Sequence, residues 1–331
     1  MDRSLSCPEK PRFRDAVRAL IGPSGVEITH GARRCTFECS RQETPAVQLL
    51  LSHLESGGLT VSELVSRSPD IAEQIPRLLE DFDRLRLLTE STPSSSAGVC
   101  SGAQLYRDVR RLCDRLTHRV ARSLFHCALV EGRATRQQLI GYALEYYWIV
   151  QSAPGLIGPA LGAAHSSAER LLLQEFLKSE LGHDRFLATA LLAVGVTLDE
   201  LDAHQPLPST FALCASLGVY ARQHSLSFKA CLFLFERAQP AFIDAFDDRC
   251  RALDLPEAFY GPLRVHAELN DDYDHEDISR QLMDLEPAVS LEGCTVVKRH
   301  VSLLLETLIR QEEQILNYYG QARDRIPRIL D

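Results

Sequence analysis

The chain has 331 residues, 45% of them hydrophobic and 24% charged, and carries a net charge of −9. That length suggests roughly two domains at about 150 residues each, and the apolar share is enough for a buried core. The acidic balance argues against nucleic acid or an anionic membrane as the main partner, and no apolar run reaches the ~18 residues of a membrane helix.

The opening "MDRSLSCPEKPRFRDAVRAL" scatters its charges and has no hydrophobic stretch leading to a small-residue cleavage site, so no signal peptide is expected. "GVEITH" (25–30) and "RRCTFEC" (33–39) alternate in polarity and predict two strands joined at Gly31 by a short hairpin. From Thr44 the period becomes helical, with Val47, Leu49, Leu50 and Leu54 on one face, and it stops at Gly57-Gly58. "LTVSELVSRSPD" predicts a short second helix. In "IAEQIPRLLEDFDRLRLLTE", Ile71, Ile75, Leu78, Leu79, Phe82 and Leu85 recur every three or four residues, and Leu87–Leu88 reads as a closing strand.

Two strands, three helices and a closing strand make a small α+β unit of winged-helix type. Its third helix carries Glu73, Glu80, Asp81 and Asp83, a face that repels phosphates and speaks against DNA. The layout of residues 22–90 resembles the peptide-recognition domain typified by the pyrroloquinoline-quinone peptide chaperone. That resemblance implies a partner: a peptide substrate or leader peptide paired with the sheet edge by strand addition. The alternative is an appendage used for dimerisation or domain packing.

The stretch "STPSSSAGVCSG" reads as a linker, giving a first domain at 1–90, a linker at 91–102 and a second domain at 103–331. Beyond residue 103 every long segment has helical periodicity, which predicts an all-α bundle of about seven or eight helices. The fold class is therefore mainly α, a helical bundle preceded by the small α+β unit. The ten cysteines are dispersed, and Cys35 and Cys39 lack a second pair at ligand spacing, so no zinc site is expected. Cys127, Cys214 and Cys231 sit in apolar runs and read as buried thiols. The expected compartment is the cytoplasm.

Few residues of the second domain are candidates for chemistry. Glu145 lies in "YALEYYWIV", where a carboxylate is costly to bury unless it binds something. Glu180 and His183 are three apart, the spacing that puts two ligands on one helix face. His266 opens "HAELNDDYDHED". The plainer readings are a buried ion pair for Glu145, a solvated helix edge for Glu180 and His183, and a core histidine for His266.

The order of these segments is itself informative. "LFHCALVEGRATRQQLIGYALEYYWIVQSAP" is followed by the Glu-x-x-His segment "SELGHDRFLATALLAVGV", and then by the helix that begins with His266. Over about residues 105–320 this succession resembles the heme-oxygenase-like superfamily, which includes pyrroloquinoline-quinone synthase, thiaminase II and di-iron oxidases. The resemblance implies a homodimer and an oxygen-dependent oxidoreductase with Glu145, Glu180, His183 and His266 holding iron.

The chain departs from the di-iron pattern in two helices. The branch carries His-x-x-x-Asp-x-x-His, and counting from His266 those places hold Asn270 and Tyr273. The oxidases often place a histidine three or seven residues after the first Glu, where this chain has Trp148 and Ser152. Asp272 and His275 reproduce Asp-x-x-His two positions late. His275 would lie about half a turn round from His266 and could join only through a helical bulge.

Pyrroloquinoline-quinone synthase offers a metal-free comparison. Here His126, Tyr146, Tyr147, Glu180, His183, His266, Asn270 and Tyr273 would form such a polar pocket. Thiaminase II needs a nucleophilic Cys beside a carboxylate, which no cysteine here supplies. Two functions follow. One is an oxidative tailoring enzyme of natural-product biosynthesis, acting on a peptide held by the first domain and using an iron or metal-free site. The other is a scaffold that has lost its ligands and escorts a peptide to a partner enzyme. The enzyme reading requires Glu145, Glu180 and His266 to meet in one enclosed cavity.

Overall fold

The computed structural model describes residues 8, 10–14, 17–22, 25–30, 33–91, 99–120, 123–236, 240–272, 278–321 and 325–329. The chain divides into two compact units, Met1–Arg107 and Asp108–Asp331.

The first unit begins with β1 (Pro11–Phe13), β2 (Arg18–Gly22), β3 (Gly25–His30) and β4 (Arg33–Glu38). Three helices follow, α1 (Thr44–Ser56), α2 (Val61–Arg67) and α3 (Ile75–Arg84), and then β5 (Leu88–Glu90). The sheet order is β2-β3-β4, with Val26 opposite Phe37 and Ile28 opposite Cys35. The predicted hairpin strands are present, although residues 31–32 lie outside the described residues. β2 was not legible in the sequence because its side chains are mostly exposed and show no alternation. The closing strand pairs antiparallel with β1. α2 starts at a capping box, in which the Thr60 side chain accepts from the Glu63 N–H and the Glu63 carboxylate accepts from the Thr60 N–H. The helices bury Leu50, Leu54, Leu64, Ile75, Leu79 and Phe82 against Val26 and Ile28 of the sheet.

The second unit is helical. After α4 (Gly102–Val120), which begins in the first unit, come α5 (Leu124–Val130), α6 (Arg136–Gly162), α7 (Ser167–Glu180), α8 (Asp184–Leu192) and α9 (Leu198–Ala203). Next are α10 (Pro208–Gln223), α11 (Ser225–Cys231), α12 (Phe233–Glu236) and α13 (Pro240–Ala252). The unit ends with α14 (Glu257–Asp272), α15 (Ile278–Asp284) and α16 (Leu291–Tyr319). These are more segments than the periodicity predicts, because short breaks cut long apolar patterns. One such break is the left-handed Gly182 (φ 88°) between α7 and α8; another is His224 between α10 and α11. The opposite also occurs. α6, capped by a Thr135/Gln138 box, runs on through Pro154 and Pro159. Among the described residues no helix is long and apolar enough to cross a membrane.

α6 packs on α7, α8, α10 and α16, and α14 packs on α8. The closest approach is at Gly141, where any Cβ would stand inside the ring of Tyr319. Glycine is required there by contact and not by backbone angle. The expected effect of Gly141→Ala is an overpacking loss of about 1–3 kcal/mol, read as a lowered urea midpoint by far-UV circular dichroism. Gly155→Ala on the same helix, whose methyl would meet open space, is expected to keep or raise that midpoint.

Candidate functional site

A cavity of about 210 Å³ lies between α6, α7, α10, α12, α13, α14 and α16. Its wall is chiefly aliphatic and aromatic, and Glu145, Tyr146, Glu180 and His266 all reach it. Glu145, Glu180 and His266 share one cavity, although they have different surroundings.

Glu145 is fully buried. The Leu207 N–H donates to its Oε2 at 3.0 Å and the Tyr319 hydroxyl donates to its Oε1 at 2.7 Å. His204 Nε2 stands 3.6 Å from Oε1. The His204 ring is oriented from behind, since its Nδ1 accepts from the Arg328 N–H at 3.1 Å. Neither an arginine nor a metal is needed to explain the burial of this carboxylate. A backbone amide and a phenol satisfy it.

Tyr146, one residue further along α6, belongs to a different network. Its hydroxyl is 2.9 Å from His266 Nδ1, and the two rings meet edge to face at 5.3 Å. The His266 ring meets His183 edge-on at 5.0 Å, and His183 Nδ1 lies 3.5 Å from Glu180 Oε2. Desolvation, followed by the nearby Tyr142, Glu236 and Glu180, pushes the Tyr146 phenol well above its ordinary value. The phenol therefore keeps its proton at neutral pH. When it donates to Nδ1, the hydrogen of a neutral His266 ring sits on Nε2.

Glu180 and His183 do not share a helix face as the spacing suggested. α7 ends at Glu180, Leu181 is extended, Gly182 takes φ 88°, and His183 is the N-cap of α8. The two side chains are brought together across a break between helices and not by helical periodicity.

The other expected site residues are placed differently. His126 is half-buried with its ring edge toward Phe242 at 5.9 Å, and Tyr147 accepts from Gln151 Nε2 at 3.0 Å; neither is on the cavity wall. Asn270 and Asp272 belong to α14, but their side chains, and all of Tyr273 and His275, lie outside the described residues. Among the described residues no three His, Cys, Asp or Glu side chains are arranged to hold a metal ion.

Sequence reasoning missed Glu236, Glu312 and Tyr142, which also line the cavity. Glu236 had a signal, since it closes the apolar run "CLFLFE" much as Glu145 interrupts another. Glu312 had none, because "RQEEQ" reads as a solvated helix face. Cys214 is on the wall as well. Burial, then Glu145, pushes its thiol up to about 12, so it is not a nucleophile at neutral pH.

No known family's sequence profile matches the chain. It is 30% identical over 125 residues to the 4-aminobenzoate synthase of Chlamydia trachomatis and 29% identical to that of Chlamydia muridarum. Each match covers 35% of this chain, and the chain spans about half the length of these curated relatives, 52% and 51%. Among solved structures, it is similar to a domain of unknown function with a heme oxygenase-like fold from Shewanella denitrificans. The TM-score is 0.55 at 17% identity, covering 68% of this chain and 98% of that one. A TenA homologue from Pseudomonas syringae gives a TM-score of 0.55 at 14% identity, covering 69% and 100%. The helical fold of this chain is heme-oxygenase-like, of TenA type.

Two predictions follow from the buried acids. Glu145→Ala leaves the Leu207 amide and the Tyr319 hydroxyl without an acceptor and is expected to cost about 3 kcal/mol, against about 1 kcal/mol for Glu145→Gln, measured by urea denaturation. Glu312 accepts from Ser123 Oγ at 2.5 Å and from the Phe125 N–H at 3.4 Å, yet burial holds its carboxyl above the ordinary 4.5. The folded chain therefore binds this proton more tightly than the unfolded one. The stability this contributes is full below about 4.5 and is lost as pH rises through the raised value. Glu312→Gln should abolish that loss, so the stability difference between variant and parent should grow in the variant's favour as pH rises through this window.

Proposed function

We propose that the helical unit is the catalytic part of a biosynthetic oxidoreductase that oxidises an organic substrate in the cavity between α6 and α14. The substrate gives up two electrons and two protons, and dioxygen takes up both to leave as hydrogen peroxide. The observation that carries this reading is the Tyr146–His266 hydrogen bond on the wall of a largely apolar cavity. It is supported by the likeness to two proteins named 4-aminobenzoate synthase, which places a biosynthetic enzyme among related sequences.

The pair works as a proton relay. Tyr146 passes its phenolic proton to His266 Nδ1 while its oxygen accepts one from the substrate, so no phenolate has to exist in an apolar site. The imidazolium that results faces His183, and beyond it the Glu180 carboxylate, which favours the charge. Glu145 acts as framework, fixing α6 so that Tyr146 points at His266. No step passes through a metal ion.

The first unit, on the same proposal, presents the substrate. β2 is an edge strand with Leu20 and Ile21 exposed, a surface suited to strand addition by a peptide. The described cysteines are free thiols, in keeping with a cytoplasmic setting.

The test is oxygen uptake and peroxide release by the full chain with a panel of small phenols and arylamines, before and after chelation. Turnover should survive chelation and fall by about 10²–10⁴ in Tyr146→Phe and in His266→Gln. Turnover that appears only after loading with ferrous iron would refute the metal-free reading. No turnover under either condition would favour the scaffold.

A further inference from the structure

A phenol or carboxyl group on the wall of an apolar cavity gives up water and is costly there unless a partner replaces it. Glu145 has Leu207 and Tyr319 as partners, and Tyr146 has His266. Two other wall groups, on the neighbouring helices α6 and α16, still have a polar atom to spare. They are Tyr142 and Glu312.

The Tyr142 ring is held on several sides. It stacks on Phe125 at 5.0 Å with 18° between the planes, and lies 5.2 Å from Phe242 and 5.5 Å from Phe246 by ring centroid. Its hydroxyl has no hydrogen-bond partner among the described residues, although a tyrosine hydroxyl in such surroundings usually finds one. Burial, then Glu312, pushes the phenol above its ordinary value, so it keeps its proton at neutral pH. Glu312 spends Oε2 on both of its donors, Ser123 Oγ at 2.5 Å and the Phe125 N–H at 3.4 Å. Its Oε1 has no partner among the described residues, and neither spare atom is sealed inside the protein. Phe125 ties the two groups together, since its N–H holds Glu312 while its ring carries Tyr142.

The chemistry of the pair narrows what fits between them. Tyr142 offers an O–H donor, and Glu312 Oε1 offers an acceptor when the carboxyl is ionised. A hydroxyl group answers both at once, because it accepts from one and donates to the other. It also fits when Glu312 is protonated, by reversing the direction of either bond. A carboxylate has no proton to donate and meets an ionised Glu312 as a like charge. An ammonium group has no lone pair to receive the Tyr142 proton. The space suits a single ring, since a cavity of about 150 Å³ already accepts benzene and this one is about 210 Å³.

We infer that Tyr142 and Glu312 form a hydroxyl-recognition site, which selects an aromatic substrate bearing an alcohol or phenol group and anchors it in the cavity. This rests on the reading of the cavity as a substrate site and adds the substrate class. Tyr142 precedes Tyr146 by one helical turn, and their rings are 6.0 Å apart. A substrate held at Tyr142 and Glu312 therefore lies beside the Tyr146–His266 relay. Tyr142 acts in binding and specificity, and the proton moves at Tyr146.

The experiment compares phenol with toluene, two probes of nearly equal shape, titrated calorimetrically into the full chain at neutral pH without oxygen, so that neither is turned over. Toluene is the more apolar, and a purely apolar cavity would favour it. Phenol should instead bind at least about tenfold more tightly. Tyr142→Phe, which removes only the hydroxyl, and Glu312→Met should each remove most of that preference. Toluene affinity should stay unchanged in both, which also shows the cavity intact. Equal affinity for the two probes, or tighter binding of toluene, would overturn the inference and leave the oxidoreductase reading standing. A phenol preference that survives in either variant would overturn it as well, since the hydroxyl would then be seated elsewhere. Failure of both probes to bind would remove the cavity as a small-molecule site and take both proposals with it.

Discussion

A carboxylate sealed from water at Glu145 sets the terms for the helical unit. Such a group is tolerated only where donors are fixed in advance, and the donors here come from distant parts of the chain: the Leu207 amide ahead of α10 and the Tyr319 hydroxyl at the end of α16. Each must be in place for the other to be useful. Tyr319 can reach only because residue 141 has no side chain, and the 204–207 segment is itself tied to the chain's last described residues, Gln205 N–H donating to the Arg328 carbonyl and Arg328 N–H to His204. One buried charge thus fixes three segments around α6.

Helical rotation then divides the work between neighbours. Successive residues on an α-helix turn by about 100°, so holding Glu145 against Leu207 and Tyr319 directs Tyr146 to another side, toward His266. The framework and the candidate chemistry are consecutive in sequence, with separate hydrogen-bond partners. A mutation at one position is therefore expected to read out as stability and at the other as proton transfer.

The second device is the interruption of helices. The left-handed Gly182 separates α7 from α8, and His183 after it stands beside both Glu180 and His266. The Lys229 ion pairs with Glu169 and Glu286 connect α11 with α7 and with the segment after α15. Burying Lys229 and Glu169 is weak evidence for stability, but the pair fixes the spacing of α11 and α7, the helix that carries Glu180. In a low-dielectric cavity such fixed groups act on a ligand more strongly than they would in water.

The sequence by itself determined the class of each half: the β3–β4 hairpin and amphipathic helices of the first unit and the all-helical second unit. These follow from local periodicity and capping, which a chain carries in its own residues. It also marked Glu145, Glu180 and His266 as polar groups in apolar surroundings, and all three reach one cavity. Partnership was beyond it. Glu145 is satisfied by residues 62 and 174 positions away, Glu180 and His183 meet across a break that a three-residue spacing disguises as one helix face, and Glu312 lines the cavity although its neighbours in sequence are all polar. Only the packing of α6, α14 and α16 decided which polar groups hold the fold and which face the cavity, because desolvation and hydrogen-bond geometry depend on contacts between segments far apart in the chain.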